Sequence, residues 1–200
     1  AKAAQYAENV FFGKPCGLLD QSAIALGGIS YIDFKSTKNP IVESMDWEFD
    51  CDIVLINAGG DHSDLTEAYA SIRKEMEQVA GLYNKKSLRS LKKSTFFTEL
   101  PHIKSQVSGR ALLRAMHYYN ENDRVEKCRK AVKGGKYKIF CKCINESGES
   151  SYRMLQNMYP EGSTAQGIPL AINLALLNKG VDAVRVHGGG FAGTMIAYVD

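Results

Sequence analysis

Two hundred residues, 44% hydrophobic and 24% charged, describe one large domain or two small ones of ordinary globular composition, able to bury roughly 70% of the surface exposed by the unfolded chain. With 18 Gly and 5 Pro the chain is neither collagen-like nor disordered. The balance of 25 Lys+Arg against 22 Asp+Glu leaves +3, too little to bind nucleic acid or a membrane surface by field alone.

Residues 1–12 carry helix formers up to Gly13, without the apolar core of a secretory leader. No apolar run reaches the ~20 residues of a membrane span, so the sequence reads as cytoplasmic. Because it lacks an initiator Met and opens inside a helix-like stretch, it also reads as a piece of a longer protein. Pro15, tolerated in a first helical turn, starts a second predicted helix over 15–26, ended by Gly27-Gly28. A strand follows over 29–34, then a polar loop over 36–40. The run 51–56 predicts a strand buried on both faces.

Asp64 and Glu67 form a capping pair for a helix whose apolar residues Leu65, Tyr69, Ile72, Met76, Val79 and Tyr83 repeat every three or four positions. A basic loop over 85–93 leads to a long helix over 106–133, closed by Gly134-Gly135. One or two helices over 136–159 and another over 165–179 come next. The chain ends in a predicted hairpin, 181–186 and 195–199, turning at Gly188-Gly189-Gly190. Helices on a modest, mainly antiparallel sheet make a two-layer α+β architecture.

Five Cys without framework spacing are expected to be reduced and mostly buried, and the four His are too scattered for a local zinc pattern. Gly188 to Gly193 matches G-x-G-x-x-G formally, but a strand follows instead of a helix, so no dinucleotide site is expected. The turn is either a glycine-lined hairpin or a close-packing loop beside a phosphate-binding element. Lys133-Gly134-Gly135-Lys136 lacks Walker spacing.

Asp20 stands one turn into a short helix, with Leu18, Leu19, Ala23 and Ile24 around it. Such neighbours disfavour a charged carboxylate while the helix N-terminus favours it, so a partly buried, working carboxylate competes with a surface Asp that serves the helix dipole. Gly17 would let a ligand approach the same turn. Tyr69 on its apolar stripe is expected in the core, and His62 as a helix cap. Arg114, His117, Glu121 and Arg124 form a supporting ladder along one helix face.

Taken together, Gly13-Lys14-Pro15-Cys16-Gly17-Leu18-Leu19-Asp20-Gln21, Asn57-Ala58-Gly59-Gly60-Asp61-His62 with the Tyr69 helix, Arg114-Ala115-Met116-His117, Gln166-Gly167-Ile168-Pro169 and Val186-His187-Gly188-Gly189-Gly190-Phe191 resemble the galactokinases of the GHMP small-molecule kinase superfamily. Tyr69 follows Asp20 by 49 positions, as in that family. The resemblance implies that Asp20 is the catalytic carboxylate and that Gly17, Asp20 and Tyr69 line a sugar site. It implies that Gly188, Gly189 and Gly190 support the phosphate loop, within a ferredoxin-like C-terminal domain over 46–200, with 1–45 a remnant of the preceding region. The family's Pro-x-Gly-Leu-Ser-Ser-Ser loop and early sugar-binding segment are absent, and Ala192 replaces a common Gly. The expectation is therefore the C-terminal half of a sugar 1-kinase acting on galactose with ATP and Mg²⁺ in its parent, inactive alone and partnered by a missing N-terminal domain of the same chain. The alternative is a non-catalytic sugar-sensing or interaction module.

Overall fold

A computed structural model describes residues 1–13, 16–60 and 65–200. They form two compact units, one of 1–48 with 132–135, the other of 49–131 with 136–200. Both helices and antiparallel strands are present, so the α+β class expected from the sequence is observed.

In the first unit, α1 (Lys2–Tyr6) runs into a π-helical turn over Ala7–Phe11, and α2 (Leu19–Leu26) stops at Gly27, whose φ of 68° only glycine adopts freely. β1 (Ile29–Asp33) pairs antiparallel with β2 (Ile41–Met45), Ile29 opposite Met45. The sequence pattern did not predict β2, whose IVESM run is short and largely exposed. Lys133 forms an ion pair with Glu43 on that strand.

In the second unit, β3 (Asp52–Asn57), β4 (Val181–Val186) and β5 (Thr194–Val199) form an antiparallel sheet in the order β3-β5-β4. The expected hairpin is the β4–β5 pair, with Val186 opposite Met195. β3 corrects an expectation, since Ile53, Val54 and Leu55 are exposed instead of buried on both faces. It lies at the sheet edge, where one neighbour is absent among the described strands. The other edge strand, β4, is bonded by a side chain: Asn145 of α6 (Tyr137–Ser150) accepts from the Val184 N–H at 2.9 Å and donates to the Asp182 carbonyl at 3.1 Å. α7 (Gly167–Leu176) covers the sheet through Ala175, which clusters with Val184, Met195 and Ala197.

α3 (Thr66–Gly81) follows the predicted apolar stripe, although Asp64 and His62 lie outside the described residues. Between the basic loop and the long α5 (Gly109–Lys133) stands a helix that the sequence pattern did not predict, α4 (Lys93–Ile103). Pro101 lies inside α4, where it removes one intrahelical hydrogen bond, and packing outweighs that cost and the weak sequence signal. Phe96 is fully buried with Val79, Leu88, Ala115 and Tyr119.

Three of the five free cysteines are only half-buried and Cys141 and Cys143 are buried, a more even split than expected. The Arg114 ladder is a set of ties to other elements: Arg114 donates to Ser71 and Glu75 of α3 and to the Leu155 carbonyl, and His117 meets Ser150 at 2.9 Å. Of the expected pairs along the ladder, Arg124 with Glu121 is present.

Candidate functional site

The β4–β5 ladder extends past Val186, with the His187 N–H donating to the Thr194 carbonyl at 3.0 Å, and then opens into the glycine loop. Gly188 and Gly190 have φ of 67° and 82°, values that L side chains rarely adopt. Gly189 needs its bareness for another reason: a Cβ there would stand 2.6 Å from Cε1 of Tyr69. After Phe191 and Ala192 the loop returns through Gly193, whose N–H donates to the Gly59 carbonyl at 3.0 Å. The Gly193 carbonyl accepts from the Ala58 N–H at 2.8 Å. Ala192 is accommodated by Gly60, where a Cβ would come 2.8 Å from the alanine methyl.

Tyr69 seals the loop from α3. Its hydroxyl donates to the Gly190 carbonyl at 2.8 Å and its ring meets Phe191 edge-on, centroids 5.2 Å apart. Burial pushes the Tyr69 phenol above its ordinary value, so it remains a donor through neutral pH. Leu65, Phe191 and Ala192 close a small core with Ala68 and Ile72. Tyr69 is thus half-buried and in contact with the glycine loop, joining two of the sequence-predicted features that lie 121 residues apart.

Beside this junction a cleft of about 800 Å³ is walled by Leu65, Ser71, Arg110, Tyr152, Met158 and Phe191. Arg114, 2% exposed, also lines the cleft and is ion-paired with Glu75. Burial pulls the Arg114 guanidinium below its ordinary value, against the pull of Glu75. Arg110 is held above its ordinary value by hydrogen bonds to Glu75 and then Glu161. A larger cleft of about 950 Å³, bordered by Tyr137, Arg153 and Asp182, contains none of the predicted site residues.

Gly17 and Asp20 belong to the first unit, Tyr69 and the glycine loop to the second. Asp20 is exposed in the first turn of α2, which agrees with the surface alternative and not with a partly buried carboxylate: of its apolar neighbours only Leu18 is buried, while Leu19, Ala23 and Ile24 face outward. Gly17 is exposed as well, and a Cβ there would meet nothing within 4 Å. Sequence reasoning missed Asn157, which contacts the loop directly. It carries no motif signal, because the contact spans 32 positions and depends on how the chain leaves α6.

No family model matches this sequence, but similarity to curated proteins runs along its whole length. It is 29% identical to the galactokinase of Homo sapiens over 203 aligned positions, covering all of this chain and 49% of that protein. To the galactokinase of Thermotoga petrophila it is 28% identical, covering 98% of this chain and 52% of that protein. The solved Lactococcus lactis galactokinase, complexed with galactose, superposes with a TM-score of 0.78 at 24% identity, over 99% of this chain and 50% of that one. This chain is galactokinase-like. The galactokinase-like chain spans about half the length of the curated relatives it matches. Its fold is also similar to that of L. major mevalonate kinase in complex with R-mevalonate, at a TM-score of 0.51 and 13% identity, over 90% of this chain and 43% of that one. Among the described residues no helix is long and apolar enough to cross a membrane.

Proposed function

We propose that this chain is the C-terminal part of a galactokinase, whose intact form transfers the γ-phosphoryl group of ATP to the C1 hydroxyl of galactose. The observation that carries the reading is the similarity, along nearly the whole of this chain, to about half the length of galactokinases from organisms as distant as Homo sapiens and Thermotoga petrophila. In this reading residues 1–45 bring the Asp20 helix from the preceding region and 46–200 form the C-terminal domain.

The residues present fit part of what the reaction requires. Gly188 and Gly189 are exposed and their N–H groups donate to no described residue, and alternating glycine conformations of this kind suit an anion. In this reading residues of the rest of the parent hold Mg²⁺; among the described residues no group of three His, Cys, Asp or Glu is placed to hold a metal. When bound, ATP supplies the phosphoryl group.

Phosphoryl transfer through a loose transition state depends on positioning and charge stabilisation, so a carboxylate of ordinary basicity suffices to orient a hydroxyl and accept its proton late. Asp20 takes that role. Tyr69 and Gly17 border the sugar, and the Tyr69 hydroxyl is already committed to Gly190. Tyr69 would therefore offer the sugar its ring and its phenol oxygen as an acceptor, with the phenol proton spent on loop geometry.

The test is ADP release by the intact parent against a panel of hexoses. Galactose-dependent release is expected, and Asp20→Asn should lower kcat by ~10²-fold or more with a smaller change in sugar KM. Near-normal turnover by that variant would remove Asp20 from the chemistry. Sugar binding without turnover in the wild-type parent would favour a sensor. The 200-residue chain alone should release no ADP.

A further inference from the structure

We infer that Asn157 is a positioning residue for the glycine loop, an inference that rests on the proposed kinase reading for its effect on turnover but not for its geometry. Asn157 follows Gln156, whose φ of 57° ends the π-helical segment Ser151–Leu155 and turns the chain inward. It is 2% exposed. Its Nδ2 donates to the Gly189 carbonyl at 2.9 Å, and its own carbonyl accepts from the Phe191 N–H at 2.5 Å.

Peptide planarity turns these bonds into control over two successive peptide groups. The 190–191 peptide is held at both ends, its carbonyl by the Tyr69 hydroxyl and its N–H by Asn157. The 189–190 peptide is held at its carbonyl, which obliges the Gly190 N–H to point away from the Asn157 amide; that N–H donates to no described residue. Phe191 is thereby kept at a φ of 64°, a conformation rare for a residue with a side chain.

Two further observations show that the pair is specific. A Cβ on Gly190 would run into the Asn157 backbone carbonyl and lie 2.7 Å from its Nδ2, so the amide can reach the loop only because position 190 is bare. The Asn157 Oδ1 is also buried with no hydrogen-bond partner among the described residues. Burying an acceptor unpaired is costly, and an apolar side chain would avoid that cost. The amide therefore serves the loop at the expense of stability.

The experiment is hydrogen exchange on the 200-residue chain and on the intact parent, comparing wild type with Asn157→Asp, which loses the donor at nearly constant shape, and with Asn157→Ser, which is too short to reach Gly189. Exchange over residues 186–194 is expected to quicken at least tenfold in both variants, while the 96–119 core keeps its protection. In the parent, kcat should fall about tenfold with galactose KM moving less than threefold. Unchanged loop exchange in both variants overturns the inference, as does fast loop exchange with undiminished turnover. If the aspartate variant loses core protection, the serine variant decides. A wild-type parent that releases no ADP with any hexose defeats the kinase reading, and loop exchange still decides the clamp.

Discussion

At the scale of single residues the glycine loop is held by few contacts, and each is separable by mutation. Tyr69 was legible as an apolar-stripe residue, and its ring does pack with Phe191 and Ala192. Its second role, donating a proton to Gly190, was not legible, because helical periodicity reports which face is buried and says nothing about what the far end of a tyrosine touches. Tyr69→Phe removes that bond and leaves a buried-side carbonyl without its donor while keeping the ring. The expected cost is about 1–3 kcal/mol. For a chain of this length that is a fall in Tm of roughly 2–12 °C, at about 2–4 °C per kcal/mol. A melting curve superposable on wild type would mean that the loop carbonyl finds another donor.

At the scale of elements, what was legible depended on whether the pattern was local. The stripe of α3 and the alternating hairpin around the triple glycine are local, and both appear within a residue or two of their expected bounds. α4 was missed because Pro101 and flanking lysines mask a helix whose stability comes from Phe96 and Phe97 packing against Tyr119 of α5. The polar face of α5 was read as a ladder of pairs along one helix, but apart from Arg124 with Glu121 its partners lie on other elements. Glu121 joins Arg124 on its own helix, Ser147 on α6 and Arg185 on β4. Burial by itself would raise the Glu121 carboxyl, but the Ser147 hydroxyl and the two guanidinium groups outweigh it and hold it below its ordinary value. His117, one turn away, is lowered by burial, with Glu121 opposing and Arg124 and Arg185 reinforcing the shift. The unfolded chain, with an ordinary imidazole near 6.5, then binds the proton more readily than the folded chain. Stability should accordingly be constant above about pH 7.5 and fall as the pH drops through the sixes, by at most about 1.4 kcal/mol per pH unit. Glu121 adds its own loss only further down, in the carboxylate range below about pH 4.5. Urea midpoints between pH 5 and 7.5 should therefore show a slope that His117→Gln flattens; equal slopes in the two proteins would assign the acid sensitivity elsewhere.

At the scale of the whole molecule, the order of the motifs could be read from the sequence, but the surroundings of Asp20 could not. Burial is a property of everything packed against a residue, and most of the apolar neighbours expected to enclose this carboxylate do not do so: Ile24 is 84% exposed and Leu19 and Ala23 are open, and elsewhere in the same unit Phe11 is 82% exposed and Phe12 and Val10 are open too. Proteins that remain monomeric seldom leave so many large apolar side chains in water. The chain spans about half the length of its galactokinase relatives, and under the proposed reading residues outside these 200 cover that surface in the parent. The physical consequence can be measured on the chain as it stands. Burying apolar surface gains roughly 25 cal/mol per Å², so contacts between copies through these side chains should drive weak, salt-insensitive self-association. In sedimentation velocity the weight-average coefficient of the 200-residue chain is expected to rise from low to tens of micromolar, and a Phe11→Ser, Ile24→Ser double variant should abolish the rise without altering the melting temperature by more than a few degrees. The intact parent should show no such dependence. A parent that associates as strongly as the isolated chain would mean that this apolar surface is uncovered in both, and the idea that the remaining half packs over the Asp20 helix would fail.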